Sequence, residues 1–143
     1  MVKKVWTAQQ ANYWQSSRSS EAAIESALNE LRKIGGEIVS YAYGVMGGRA
    51  AHVVVYKIEG NLFRTMWPVL KTHKGEIVQA AKVQAAVALK HEIKARCVAY
   101  KWRGVMGSFG NDFILPSGRT ISELTAPEIA ENYPKMLDST AGE

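Results

Sequence analysis

Residues 37–70 read EIVSYAYGVMGGRAAHVVVYKIEGNLFRTMWPVL. Alternating β-branched and aromatic residues, broken twice by glycine, predict three consecutive strands. Gly47-Gly48 separates the first strand from the second, and Gly60-Asn61 separates the second from a third that ends near Leu70. Two-residue loops of this kind favour the primed turns that join antiparallel strands. Counting outward from them predicts that Met46 faces Arg49 and that Glu59 faces Leu62. Pro68 cannot donate a ladder hydrogen bond, so the third strand is expected at a sheet edge or to end there.

Opposed residues share a face, so the two sides of the sheet can be assigned. One carries Ile38, Ser40, Ala42, Gly44, Ala51, Val53, Val55, Lys57, Leu62, Arg64 and Met66. It is small and aliphatic, the kind of surface an alanine-rich helix approaches closely. The other carries Val39, Tyr41, Tyr43, His52, Val54, Tyr56, Ile58, Phe63, Thr65, Trp67 and Val69. Exposed rings on adjacent strands, beside cations, suit single-stranded nucleic acid, because every base has a face that can stack. The competing reading is that the rings are core, covered by the first helix and the N-terminal arm.

Charge favours the nucleic-acid reading. The 143-residue chain has 18 Lys and Arg against 13 Asp and Glu. Between Arg49 and Arg103 the cations are Arg49, Lys57, Arg64, Lys71, Lys74, Lys82, Lys90, Lys94, Arg96, Lys101 and Arg103, opposed by Glu59, Glu76 and Glu92 alone. Such a local excess points to a polyanionic partner. The sequence therefore nominates Tyr41, Tyr43, Arg49, His52, Tyr56, Phe63, Arg64, Trp67, Lys71 and Lys74 as a nucleic-acid-binding set. The Lys90, Lys94 and Lys101 stripe is a further phosphate-holding candidate.

The flanks complete an α+β domain, with a three- to four-stranded antiparallel meander packed against one long helix. Residues 1–18 form an aromatic arm with Trp6, Tyr13 and Trp14. A helix follows from the Ser19-Ser20 caps, its apolar stripe running Ile24, Ala27, Leu28, Leu31, Ile34, and Gly35-Gly36 ends it. A long helix is predicted from about Glu76 to Trp102, closed by Gly104. Phe113-Ile114-Leu115 and Arg119-Thr120-Ile121 read as short strands around Pro116-Ser117-Gly118. Pro127 suits the first turn of a short C-terminal helix reaching about Tyr133, within a domain spanning 19–133. Residues 134–143 are expected to be a disordered tail.

Catalytic and metal chemistry find little support. His52, His73 and His91 have no ligand spacing, and Cys97 sits on the apolar background of a helix. No Asp precedes Asp112, which leaves Glu59 without the acidic partner a metal-dependent nuclease needs. The glycine-rich runs lack the Gly-Lys-Ser/Thr ending of a phosphate loop. The reading is therefore a non-enzymatic binder with no cofactor and no metal. A single cysteine, no apolar leader and no apolar run of about 18 residues lead us to expect a cytoplasmic protein without a membrane partner.

The order helix, three-stranded meander, long helix resembles small single-stranded-DNA-binding folds that set a curved sheet against helices. The run from Lys82 to Gly104, followed by Leu115-Pro116-Ser117-Gly118-Arg119-Thr120, resembles small proteins of phages and mobile elements. No functional residue is carried over from either. Together these readings lead us to expect a binder of single-stranded nucleic acid, DNA in the first instance. The alternative is a protein-interaction module or homodimeric phage adaptor using the ring face as an interface, and a nucleic-acid-processing enzyme ranks below both.

Overall fold

The computed structural model describes residues 5–16 and 18–125. Its elements are α1 (Ser20–Lys33), β1 (Glu37–Met46), β2 (Arg49–Ile58), β3 (Asn61–Val69), α2 (Gln79–Phe109) and α3 (Ile121–Thr125), with one-turn 3-10 segments at Ala8–Gln10 and Gly110–Asp112. The three strands form an antiparallel sheet in the order β1-β2-β3, so β3 with its Pro68 is an edge, and the fold is α+β. The expected helix after Pro127 and the tail at 134–143 lie outside the described residues.

Local chemistry sets the boundaries. The Ser19 hydroxyl accepts from Ala22 N at 3.0 Å and starts α1. At its other end Gly36 N donates to Leu31 O at 2.8 Å and Gly35 N to Arg32 O at 3.0 Å. This double closure needs Gly35 in the left-handed region, at φ 88°. Both hairpin turns have two consecutive positive-φ residues, Gly47-Gly48 and Glu59-Gly60, as the primed turn requires.

Two details of register differ from the count made on the sequence. Ile58, not Glu59, begins the second turn and pairs with Asn61. The pairing slides by two residues, which leaves each side chain on its expected face. In β1 the register shifts between Ile38 and Ser40. Val39 is the extra residue of this bulge and points outward, 52% exposed, while Ile38 turns in toward the core.

The larger correction concerns which face the helices cover. They pack on the ring-bearing side, not on the small aliphatic one. Val54, Tyr56, Ile58 and Phe63 join Ala23, Ala27, Leu31, Ala86, Leu89 and Ile93 in one core. Aromatic side chains bury about 150–250 Å² each, so covering this face removes more apolar surface from water. The alanines of α2 still serve close approach, but toward the rings and α1.

α2 overruns its expected end in one respect. Gly104 breaks it, at φ 75° and ψ 177°, yet the chain resumes for another turn and returns Val105 and Phe109 to the core. Beyond it the two expected short strands are reduced to single bridges, Phe63↔Phe113 and Ile114↔Thr120. α3 opens with a capping box that the Thr-x-x-Glu spacing of Thr120 and Glu123 already encoded. Glu123 N donates to Thr120 Oγ1 at 3.3 Å and Thr120 N donates to Glu123 Oε1 at 2.5 Å.

Candidate nucleic-acid interface

The nominated ring set divides according to its cover. Tyr56 and Phe63 are sealed, stacked on each other at 5.7 Å between centroids and closed by Phe109. His52 is sealed as well. Its Nε2 donates to the Lys82 carbonyl of α2 at 3.0 Å, and its Nδ1 accepts from Tyr41 OH at 2.7 Å. Burial, with the nearby Lys82 charge adding to it, holds the imidazole below its ordinary range, against an opposing hydrogen bond to the Lys82 backbone. A base cannot stack on these three side chains, because α1 and α2 already occupy that side of the sheet.

Tyr41, Tyr43 and Trp67 are half-buried. Burial pushes the Tyr41 phenol up to about 12, helped by Glu21 and Tyr43. Lys82 Nζ sits 4.5 Å from the centre of the Tyr43 ring, so a cation already uses that π-face. Trp67 packs under the N-terminal arm and α2. The open sheet surface read from the sequence is thus replaced by a helix-covered one.

The nominated cations part company too. Arg49, Lys71 and Lys74 are exposed at the turn end of the sheet and in the loop after β3. Arg64 is not available: it is 1% exposed on the opposite face, its Nη2 donating to Gly118 O at 2.6 Å and to Glu123 Oε1 at 2.9 Å.

A different surface gathers positive charge. α1 and α2 lie side by side, and between them runs a polar groove of about 590 Å³. Arg32, Lys33 and the acidic Glu30 line it from α1, Lys90 and Lys94 from α2. A smaller hollow of about 100 Å³, lined by Lys33, Lys94 and Lys101, extends it along α2. Arg18 donates to Oγ of Ser26, a lining residue of the groove, at 2.9 Å.

Arg32 is paired with Glu25 at 2.8 Å and Lys33 with Glu30 at 3.2 Å. Lys90, Lys94 and Lys101 form no ion pair among the described residues. Trp102, which follows Lys101 in the chain, is 85% exposed, with exposed Val98 and Met106 four residues to either side. The lysine stripe is among the residues expected from the sequence; Arg18, Arg32, Lys33 and Trp102 are not. Trp102 was legible from the helical period, which places it away from the buried Ile93 and Cys97.

Two other clusters hold the fold together. Tyr56 OH and Thr65 Oγ1 are 2.7 Å apart, Thr65 Oγ1 donates to Asp112 Oδ2 at 2.7 Å, and Arg96 bridges Asp112 and Glu92. This chain ties the segment after α2 to β2 and β3. Cys97 is buried, its thiol pushed up to about 11 by burial, with the Glu30 charge adding to it and Lys101 opposing, and it donates to Glu30 O at 3.5 Å. It fills space between the helices. Among the described residues no group of three or more His, Cys, Asp or Glu could hold a metal ion, and no helix is long and apolar enough to cross a membrane.

In comparisons with known proteins, no family model, no curated protein and no solved structure matches this chain.

Proposed function

We propose that the protein binds single-stranded nucleic acid, DNA in the first instance, without acting on it, and that the strand lies on the α1–α2 surface instead of the sheet. One observation carries this reading. Three lysines without ion-pair partners among the described residues follow one edge of a groove between two helices, and the solvent-facing Trp102 follows Lys101 in the chain, about 100° round the helix from the stripe. At the 1.5 Å rise of an α-helix, Lys94 lies about 6 Å from Lys90 and about 10 Å from Lys101 along the axis. Cations so spaced can follow a phosphate backbone while Trp102 takes a base on its face.

Salt dependence tests it. Each phosphate neutralised on a single strand contributes about 0.7 to the slope of log K against log salt, so three lysines predict a slope near −2. Recruiting Arg32 and Lys33 from their carboxylates steepens this toward about −3.5. Fluorescence quenching by oligothymidylate, titrated at several salt concentrations, reads the slope. Lys90→Gln/Lys94→Gln is expected to flatten it by about 1.4. Binding whose slope is indifferent to that substitution overturns the reading.

The apolar neighbours of Trp102 favour a second reading, in which Val98, Trp102 and Met106 form an interface core between two copies of the chain. Light scattering decides between them. A dimer dispersed by Trp102→Ala, with no oligonucleotide affinity, selects this alternative.

A further inference from the structure

A second cavity lies on the other side of α2, where the arm crosses the end of β3. It is a half-open cleft of about 390 Å³. Trp67 and Pro68 form one wall, Tyr13 of the arm another, and Ala85 and Ala88 of α2 the floor. Leucine at either alanine would fill the space, so the sequence leaves it open at those two positions. No charged residue lines it, unlike the α1–α2 groove, so it suits a neutral occupant.

One lining residue is chemically unusual. Gln84 is 3% exposed and its Nε2 holds the arm, donating to Ala8 O at 2.7 Å and Asn12 O at 3.0 Å, with Ala11 O at 3.3 Å. Its amide protons are thereby used. Its Oε1 has no hydrogen-bond partner among the described residues. The sealed and unpartnered side-chain nitrogens and oxygens among those residues all belong to Arg64, so Gln84 Oε1 keeps some accessible surface, on a residue that lines the cavity. An acceptor held on an otherwise buried side chain inside apolar walls is the arrangement that orients a small ligand.

The arm above it is held under strain. Tyr13 takes a left-handed conformation, φ 71°, that is unusual for a bulky residue, and its ring stacks on His91 at 4.8 Å and 10°. This keeps the roof in place while the floor is supplied by a helix.

From these features we infer that the cavity is a binding site for a neutral, planar heteroaromatic ring. The ring lies against Trp67 and donates an N–H to Gln84 Oε1. Such a ring can be a free heterocycle or the base of a strand carried on the α1–α2 groove. The site itself does not depend on the groove.

Titration of the full-length, 15N-labelled protein with indole tests the inference. Indole is expected to shift the Gln84 side-chain amide, the backbone amides of Ala85 and Ala88, and the Trp67 ring N–H. 1-Methylindole keeps the ring but lacks the donor, and is expected to bind about 2- to 10-fold more weakly, the range that one hydrogen bond contributes. Ala88→Leu fills the floor without touching a hydrogen bond, and is expected to abolish the shifts while the rest of the spectrum is unchanged. An oligodeoxyadenylate that shifts the same resonances assigns the ring to a nucleobase; shifts confined to the lysine strip assign it to a free heterocycle. A strand that shifts neither ends the groove reading and leaves the cavity assigned to a free heterocycle. Three results each overturn the site: no response to indole at Gln84–Ala88, equal binding of indole and 1-methylindole, or undiminished binding by Ala88→Leu.

Discussion

Replacing Arg64 by Met should destabilise the protein, and adding Glu123→Gln should restore most of the loss. The guanidinium is 1% exposed and the Glu123 carboxylate 3%. Among the described residues only one of its three nitrogens is engaged: Nη2 serves Gly118 O and both carboxylate oxygens, while Nε and Nη1 have no partner there. Removing one member of a buried pair strands the other charge and costs about 3–5 kcal/mol. Taking about 1 kcal/mol for each of the two bare nitrogens, the low end for an unsatisfied buried group, the substitution removes a penalty of about 2 kcal/mol. We therefore expect a net loss of about 2 kcal/mol for Arg64→Met at neutral pH. Glu123→Gln keeps an acceptor for Thr120 N but removes the stranded charge, so the double variant should return to within about 1 kcal/mol of the parent. Urea unfolding followed by circular dichroism measures all four states. In a domain of this size about 2 kcal/mol also lowers Tm by about 4–8 °C. Arg64→Met as stable as the parent, or a double variant less stable than either single one, would refute the account of this pair.

Two further predictions concern the core and the helix break. His52 is kept neutral in the fold while the unfolded chain gains its proton near pH 6.5, so stability should be complete above that value and decline as pH falls below it, by at most about 1.4 kcal/mol per pH unit. His52→Gln, compared with the parent by urea unfolding between pH 7 and pH 5, should show a shallower decline; parallel curves would contradict the assignment. Gly104→Ala places a Cβ that meets nothing within 4 Å, so any cost comes from φ 75° and ψ 177° alone, about 1–3 kcal/mol. A thermal melt unchanged by that substitution would show that the break is not a glycine-dependent conformation.

Much of the fold was legible because it is written in short periods. The two-residue alternation and the Gly-bearing turns placed three strands in order, and the 3.6-residue stripe from Ile24 to Ile34 located α1 between Ser19 and Gly35. The bulge at Val39 was not legible, since its alternation continues unbroken through Ser40 and only the pairing with Tyr56 reveals the extra residue. The slide in the second turn was hidden because Glu59 and Asn61 are both acceptable turn neighbours of Gly60. The site was legible only as half of itself: Lys90, Lys94 and Lys101 could be aligned on one helix, but nothing local says that Arg32 and Lys33 stand opposite them.

By itself, the chain's pattern of side chains determined which residues share a strand face and which share a helix stripe, because those relations depend on backbone repeats a few residues long. Only tertiary packing decided which side of the sheet the helices would cover. Both sides offer apolar groups to α1 and α2, and the choice goes to the one whose tyrosines and phenylalanine remove more surface from water. The same packing sealed His52, Tyr56 and Phe63 and half-covered Trp67, while Lys94, Lys101 and Trp102 stay exposed on α2.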